Sequence, residues 1–164
     1  MNFWPFSRKK SLVELQDLAL ADLAQMFVHN PDDPTPGHEL LNASKFDFTL
    51  ESLSAADQHI EVMRNRNLQG QELTTFVLRC GAYVGEVLRQ HETRKEWHWV
   101  DYEQAVRLDS KISSFGRAPG TAAMLWDGKS GYCFPLAKVG KYLENGAGDS
   151  VKFFVQVMIA HRAG

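Results

Sequence analysis

The chain has 164 residues, of which 44% are apolar and 23% charged, and its formal net charge is −2. These values are close to those of an average soluble globular protein, and the length is that of one domain. Domains that bind nucleic acid usually carry a clear excess of basic residues, so we expect no nucleic acid as a partner. We predict a single α+β domain over residues 1–164, in which residues 1–10 are a separate N-terminal segment, either flexible or folded against the body.

This N-terminal segment, MNFWPFSRKK, places aromatic side chains before a run of cations. The order is the reverse of a signal peptide, in which basic residues precede an apolar run. Because aromatic residues favour lipid headgroups and cations favour anionic lipid, the segment is either a weak peripheral membrane anchor or an ordinary terminus. No stretch is apolar for the roughly 20 residues that a membrane-spanning helix needs, so we expect no transmembrane segment.

Two helices are predicted ahead of residue 70. The first begins at Ser11, where S-x-x-E forms a capping box with Glu14, and it continues to about Val28. Residues 29–37 are rich in proline and aspartate and form a loop, which either lets this helix swing or returns the chain. The second helix begins near Thr49, and its apolar residues recur at every third or fourth position.

The third predicted helix covers residues 71–91 and carries two glycines, Gly81 and Gly85, one turn apart. A glycine inside a helix costs about 1 kcal/mol relative to alanine, so we predict that another element approaches closely there. Cys80 lies on the apolar face of this helix, and Cys133 lies in a short apolar strand. Two distant cysteines form no metal-binding motif, and we predict two reduced, buried thiols in a cytoplasmic protein.

Three short strands and two helices are predicted after the third helix. Residues 95–102 alternate in character and form the first strand, and the other two strands form a hairpin over residues 121–134. Between them, residues 104–120 lack a period and are predicted to be irregular, as a lid or a plain loop. Pro135 begins a helix. The last segment, to about residue 161, fits helical and strand spacing alike, and a polar cap before it favours the helix.

The order of these elements, with most helices ahead of the strands, is typical of a segregated α+β fold. We predict a small antiparallel sheet that about five helices pack on one face. The alternation within residues 95–102 places Trp97 and Trp99 on the same face of this sheet and His98 on the other.

Charged and aromatic residues around the first strand form one candidate site, a surface that binds another protein. It comprises Arg94, Glu96, Trp97, Trp99, Asp101 and Glu103. Tryptophan frequently anchors protein interfaces, but the same rings also suit a core, and the sequence leaves both interpretations open.

A pocket for a small ligand or a metal-dependent enzyme is the alternative candidate site. It comprises Glu86, Arg89, His91 and His98. A carboxylate partly buried beside an arginine would have a perturbed pKa, which is typical of functional sites. Zinc requires three or four converging ligands and only two histidines approach here, so we predict no metal site and no cofactor. The sequence offers no set of nucleophile, base and orienting group, which favours a non-catalytic protein.

Part of the chain resembles small bacterial domains of unknown function. The likeness rests on LRCGAYVGEVLRQH, on the following WHWVDYE and on TAAMLWDGKSGYCFPLAKVGKYLENGAGDSV, and it covers about residues 46–159. Some domains of this size and style resemble immunity proteins, which neutralise a toxin made by the same or a neighbouring bacterium. The resemblance implies a protein whose partner is another protein, such as a cognate toxin, and it supplies no catalytic residues.

Overall fold

The structure, a computed structural model, describes residues 8–160 of the chain. These residues form six α-helices and one three-stranded antiparallel sheet in the order β1-β2-β3. The helices are α1 (Leu12–Val28), α2 (Ser52–Asn65), α3 (Gly70–His91), α4 (Tyr102–Leu108), α5 (Pro135–Asn145) and α6 (Val151–Ala160). The strands are β1 (His98–Asp101), β2 (Ala123–Trp126) and β3 (Tyr132–Cys133). The predicted α+β class, with helices largely ahead of the strands, is confirmed.

Helix α3 is the centre of the fold, and its two interior glycines lie where other elements come closest. A β-carbon added at Gly81 would be 2.6 Å from the Leu136 Cα, and one added at Gly85 would be 2.2 Å from the Trp99 Cζ2. Both distances are shorter than an ordinary van der Waals contact of 3.4–4 Å. The predicted close neighbours are therefore confirmed: Gly81 lies against the start of α5, and Gly85 lies against the indole ring of Trp99 in β1.

Both faces of the sheet are apolar, and each is covered. On one face Trp99 of β1 lies opposite Leu125 of β2, and both belong to the main core with α1, α3 and α5. On the other face the paired residues Val100 and Met124 join a second, smaller core with Ala105 of α4. The prediction that helices cover only one face was wrong, because α4 covers the second.

Residues 104–120, which were predicted to be irregular, lie largely in the helical segments that cover the second face of the sheet. Helix α4 begins directly after Asp101, whose carboxylate accepts a hydrogen bond from the Gln104 backbone N–H at 2.8 Å. The Gln104 side chain in turn accepts one from the Asp101 N–H at 3.0 Å, which completes a capping box. The turns of 3-10 helix at Ser110–Phe115 and Pro119–Thr121 follow. The prediction was wrong because the D-x-x-Q pattern at Asp101 is itself a helix-start signal.

The last segment forms helix α6, as its cap signal predicted. Its N-terminal end is fixed to α2, because the Asp57 carboxylate accepts hydrogen bonds from the Val151 N–H at 2.7 Å and from the Ser150 hydroxyl at 2.6 Å. At the other end, the Arg94 side chain donates to the Ile159 carbonyl oxygen. The predicted end at residue 161 and the predicted aromatic segment before Arg8 lie outside the described residues.

The loop over residues 29–37 returns the chain and holds α1 in place. Arg79 of α3 is buried and donates to the Asp33 carbonyl oxygen at 2.8 Å, to the Asp33 carboxylate at 2.6 Å and to the Thr35 hydroxyl at 3.2 Å. Charge-assisted hydrogen bonds of this kind are among the stronger ones in proteins. In this structure α1 packs in the main core, which agrees with the second alternative that the sequence left open, a loop that returns the chain.

Aromatic side chains surround His59 where α1, α2 and α3 meet. The ring centroids of Phe27, Phe46 and Phe76 are 6.0, 6.5 and 5.9 Å from that of the imidazole. The His59 Nε2 has no hydrogen-bond partner among the described residues. Burial in this apolar setting disfavours the charged imidazolium and lowers the pKa of His59 from 6.5 to about 4.

We expect His59 to make the fold less stable as the pH falls from 7 to 4.5. Over that range the unfolded chain binds a proton at this imidazole and the folded chain does not, so stability is lost below the unfolded pKa. The expected loss is about 2 kcal/mol, measured by urea unfolding at both pH values. His59→Leu should remove the part of the pH-dependent loss of stability that His59 causes. The control His29→Gln, which replaces an exposed histidine, should leave that loss unchanged. An unchanged slope in His59→Leu would contradict the prediction.

Candidate functional site

A cleft of about 660 Å³ opens where the end of α3, the turn over residues 92–97 and the start of β1 meet. Its lining includes members of both candidate sites. They are Glu86, Arg89 and His98 of the predicted pocket and Arg94, Glu96 and Trp97 of the predicted protein-binding surface. Asp101, Glu103, Trp99 and His91 are not part of the lining.

A network of charged side chains forms the inner wall of the cleft. Glu86 and Arg89 lie three residues apart on α3 and therefore face the same side. The Arg89 Nη1 donates to the Glu86 Oε1 at 2.8 Å, and its Nε donates to the Trp97 carbonyl oxygen at 2.9 Å. The Glu86 Oε1 also accepts the Trp99 Nε1–H at 2.7 Å. The only polar atom of the fully buried Trp99 ring is thus satisfied, which burial requires.

Asp17 of α1 organises this network, and it was not among the residues predicted from the sequence. Its Oδ1 accepts the Trp99 backbone N–H at 2.6 Å. Its Oδ2 lies 2.9 Å from the His98 Nδ1 and 3.1 Å from the Arg89 Nη2. One carboxylate therefore ties α1 to both α3 and β1. No local signal singles it out, because α1 also carries Glu14 and a second aspartate, Asp22, which is exposed.

The charged side chains of this cluster mainly stabilise one another. Asp17 orients the His98 ring through Nδ1, and the His98 Nε2 lies 3.4 Å from the Glu96 Oε1. An aspartate that orients a histidine also occurs in hydrolases, where the histidine activates a nearby nucleophile. The only hydroxyl in the lining is that of Thr93, and among the described residues it has no hydrogen bond to His98. The contacts thus fix the positions of α1, α3 and β1.

His91 lies outside the cleft, so this part of the predicted pocket was wrong. It follows Arg89 by two residues, which turns its side chain by about 200° around the helix axis. The His91 Nε2 is 2.9 Å from the Phe48 carbonyl oxygen. Phe48 has a φ of 60°, in the left-handed region that large side chains rarely adopt, so this hydrogen bond helps to hold the turn before α2.

The two tryptophans do not form an exposed aromatic patch, because Trp97 is 4% and Trp99 0% exposed. Of the two interpretations that the sequence left open, packing in the core is correct. The same alternation that places the rings together turns both toward the main core. Lys95 covers the outer side of Trp97, with its Nζ 5.3 Å from the ring centroid, a cation–π distance.

The charged residues predicted to surround this patch divide between two surfaces. Arg94 and Glu96 line the cleft, whereas Glu103 forms an ion pair with Arg117 beside another depression of about 580 Å³. Asp101 lines that depression and caps α4. β1 lies between the two pairs, and its four residues span about 13 Å. A continuous rim of all four residues is therefore not formed.

Arg94 joins the rim of the cleft to α6. Its Nε and Nη2 donate to the Glu92 carboxylate at 3.0 and 2.6 Å, and it also donates to the Ile159 carbonyl oxygen. Hydrogen bonds from Arg94 hold the pKa of Glu92 below its usual value, and the same pairing raises the pKa of Arg94. The two-nitrogen contact fixes the guanidinium plane at this edge of the cleft.

Both cysteines are free and buried, as predicted. Burial raises the pKa of each thiol, and a thiol in this state is a poor nucleophile. Within residues 8–160, no three His, Cys, Asp or Glu side chains are grouped so that they could hold a metal ion. None of the helices in this part of the chain is long and apolar enough to cross a bilayer.

Helix α6, which Arg94 connects to the rim of the cleft, has an exposed apolar face that was not predicted from the sequence. The helix is apolar on nearly every side: Val151 and Val155 are buried, while Phe153 and Val157 are 64% and 44% exposed. The two exposed side chains are one turn apart and are therefore neighbours. A helix that is apolar all round is normally buried on all sides, so this outer face is unusual.

Comparisons with protein families, with curated proteins and with solved structures found no match to this chain. The resemblance to small bacterial domains of unknown function, some of them of the immunity type, therefore stays a prediction. Geometry and charge are the remaining basis for a functional proposal.

Proposed function

We propose that this protein acts without catalysis, by binding another protein through the outer face of α6 and the adjoining rim of the cleft. The observation that carries the proposal is the exposure of Phe153 and Val157 on a helix that is apolar on nearly every side. Large exposed apolar patches bordered by polar groups mark interaction sites in soluble proteins.

Charged side chains border this apolar face at both ends of α6. Arg94 contacts the carbonyl oxygen of Ile159, which lies six residues from Phe153 and therefore about 9 Å along the helix axis. Near the first turn, the Lys152 Nζ donates to the Ser54 hydroxyl at 2.8 Å. An apolar centre with a polar border is the usual arrangement of a protein interface.

Neutralisation of a toxin in the bacterial cytoplasm is the form of protein binding that we propose, since the sequence resemblance implies it. Such a protein acts by occlusion, for which a complementary surface is sufficient and a reactive group is not needed. The alternative, a ligand pocket around Glu86, Arg89 and His98, is less favoured because these side chains already bind one another and Asp17.

The test is capture of the product of the adjacent gene by the tagged full-length chain. Phe153→Asp should weaken capture about thirtyfold or more, because replacing a residue at the centre of an interface costs about 2 kcal/mol. Leu108→Asp is the matched control, since Leu108 is an exposed apolar residue on α4, and it should bind like the wild type. Failure of the wild type to capture that product, or equal capture by Phe153→Asp, would contradict the proposal.

A further inference from the structure

A second apolar face lies on the outside of α1. Leu12, Leu15 and Leu18 follow one another at intervals of three residues and are 69%, 50% and 46% exposed. Residues at this spacing lie on one side of a helix. The opposite side of α1, which includes Leu20 and Phe27, is buried in the main core. Helix α1 is therefore apolar both toward the core and, in its first two turns, toward solvent.

A run of cations stands directly before this face. Arg8, Lys9 and Lys10 are consecutive and exposed, in a chain whose overall net charge is −2. Glu14 is the acidic residue of the first helical turn, and its carboxylate already accepts the Ser11 backbone N–H at 2.7 Å in the capping box. The positive charge at this end of α1 is thus concentrated beside the exposed leucines.

We propose that the N-terminal half of α1, together with Arg8, Lys9 and Lys10, docks on a membrane surface that contains anionic lipid. A helix with an apolar side and adjacent cations lies in the interface between headgroups and acyl chains. Each cation near an anionic surface contributes about 1 kcal/mol, and stable attachment needs this contribution in addition to the apolar one. The anionic headgroups complement the three cations, and the acyl chains complement the exposed leucines.

The sequence before the cations fits the same occupant. Phe3, Trp4 and Phe6 precede Arg8, and aromatic residues are enriched at the level of the lipid headgroups. These aromatic residues lie outside the described part of the chain, so they support the proposal through their chemistry alone.

Asp22 limits how much of α1 can enter the interface. It is exposed and lies seven residues, or two turns, after Leu15, and therefore on the same side of the helix. Because anionic lipid repels this carboxylate, only the first two turns of α1 enter, with the N-terminal end deepest. The helix stays folded on the body, since Asp17 holds it to α3 and β1.

The test is co-sedimentation of the full-length chain with vesicles of phosphatidylcholine alone and with vesicles that also contain phosphatidylglycerol. We expect binding only to the anionic vesicles, weakened by added salt. Replacing Arg8, Lys9 and Lys10 together with glutamine should lower the partition coefficient on the order of a hundredfold. Leu15→Ser should lower it about tenfold, whereas Leu108→Ser, the control on α4, should leave it unchanged.

Three outcomes would overturn this inference: no binding to anionic vesicles, equal binding to both kinds of vesicle, or anionic binding that neither substitution weakens. A further outcome would assign α1 to a protein partner instead. In that case Leu15→Ser would abolish capture of the adjacent-gene product and leave vesicle binding unchanged. The capture experiment with Phe153→Asp is independent of these results, because it concerns a different helix.

Discussion

Replacing Gly85 with alanine is expected to lower the free energy of unfolding by about 2 kcal/mol or more, although alanine favours a helix by about 1 kcal/mol. The added β-carbon would lie 2.2 Å from the Trp99 Cζ2 and 2.4 Å from its Cη2. The indole has little freedom to move away, because it is fully buried and its Nε1–H is bonded to Glu86 at 2.7 Å. Relief of the clash therefore requires a shift of β1 or α3. Urea unfolding followed by circular dichroism measures the loss.

The matched control is Gly140→Ala in α5. Gly140 is also inside a helix, but a β-carbon added there would meet no heavy atom within 4 Å. This variant should be neutral or more stable by up to about 1 kcal/mol, because only helix propensity changes. If Gly85→Ala and Gly140→Ala had the same effect, close packing at Gly85 would not be the reason for the glycine.

The glycines also illustrate what a sequence can predict. Their position inside a helix indicates a close neighbour, because propensity alone disfavours glycine there. The alternation around Trp97 and Trp99 likewise predicts that both rings share a face. Both inferences depend on short-range periodicity, which determines the direction of each side chain from its own element. Neither pattern indicates that the neighbour of Gly85 is the ring of Trp99, since that contact joins separate elements.

The candidate site was harder to predict because its contacts are long-range. The hydrogen bond from Trp99 to Asp17 joins residues 82 positions apart, and no local pattern relates them. His91 was predicted to join the pocket because it and His98 flank a turn in the sequence, whereas helix geometry directs its side chain to another side. The start of α4, in contrast, has a local signal in the sequence, the capping box that begins at Asp101. Local sequence signals thus predict individual helices and strands, whereas the cleft depends on contacts between helices and strands that are distant in sequence.

The contact of Asp17 with three partners leads to the second large expected effect. Asp17→Ala should lower the free energy of unfolding by about 3 kcal/mol, because it leaves the Arg89 Nη2 and the Trp99 backbone N–H without their acceptor in a poorly solvated place. Asp17→Asn should lose roughly half as much, since its amide oxygen can still accept the Trp99 N–H. Urea unfolding at neutral pH measures both losses.

Asp22→Ala is the matched control for this prediction, because Asp22 is exposed on the same helix and its replacement should change stability by no more than about 0.5 kcal/mol. Hydrogen exchange adds a local measurement. If Asp17 holds α1 to α3 and β1, its loss should speed exchange of the α1 amides more than that of the α3 amides. Equal losses of stability in Asp17→Ala and Asp22→Ala, or unchanged exchange in α1, would mean that apolar packing alone holds this helix.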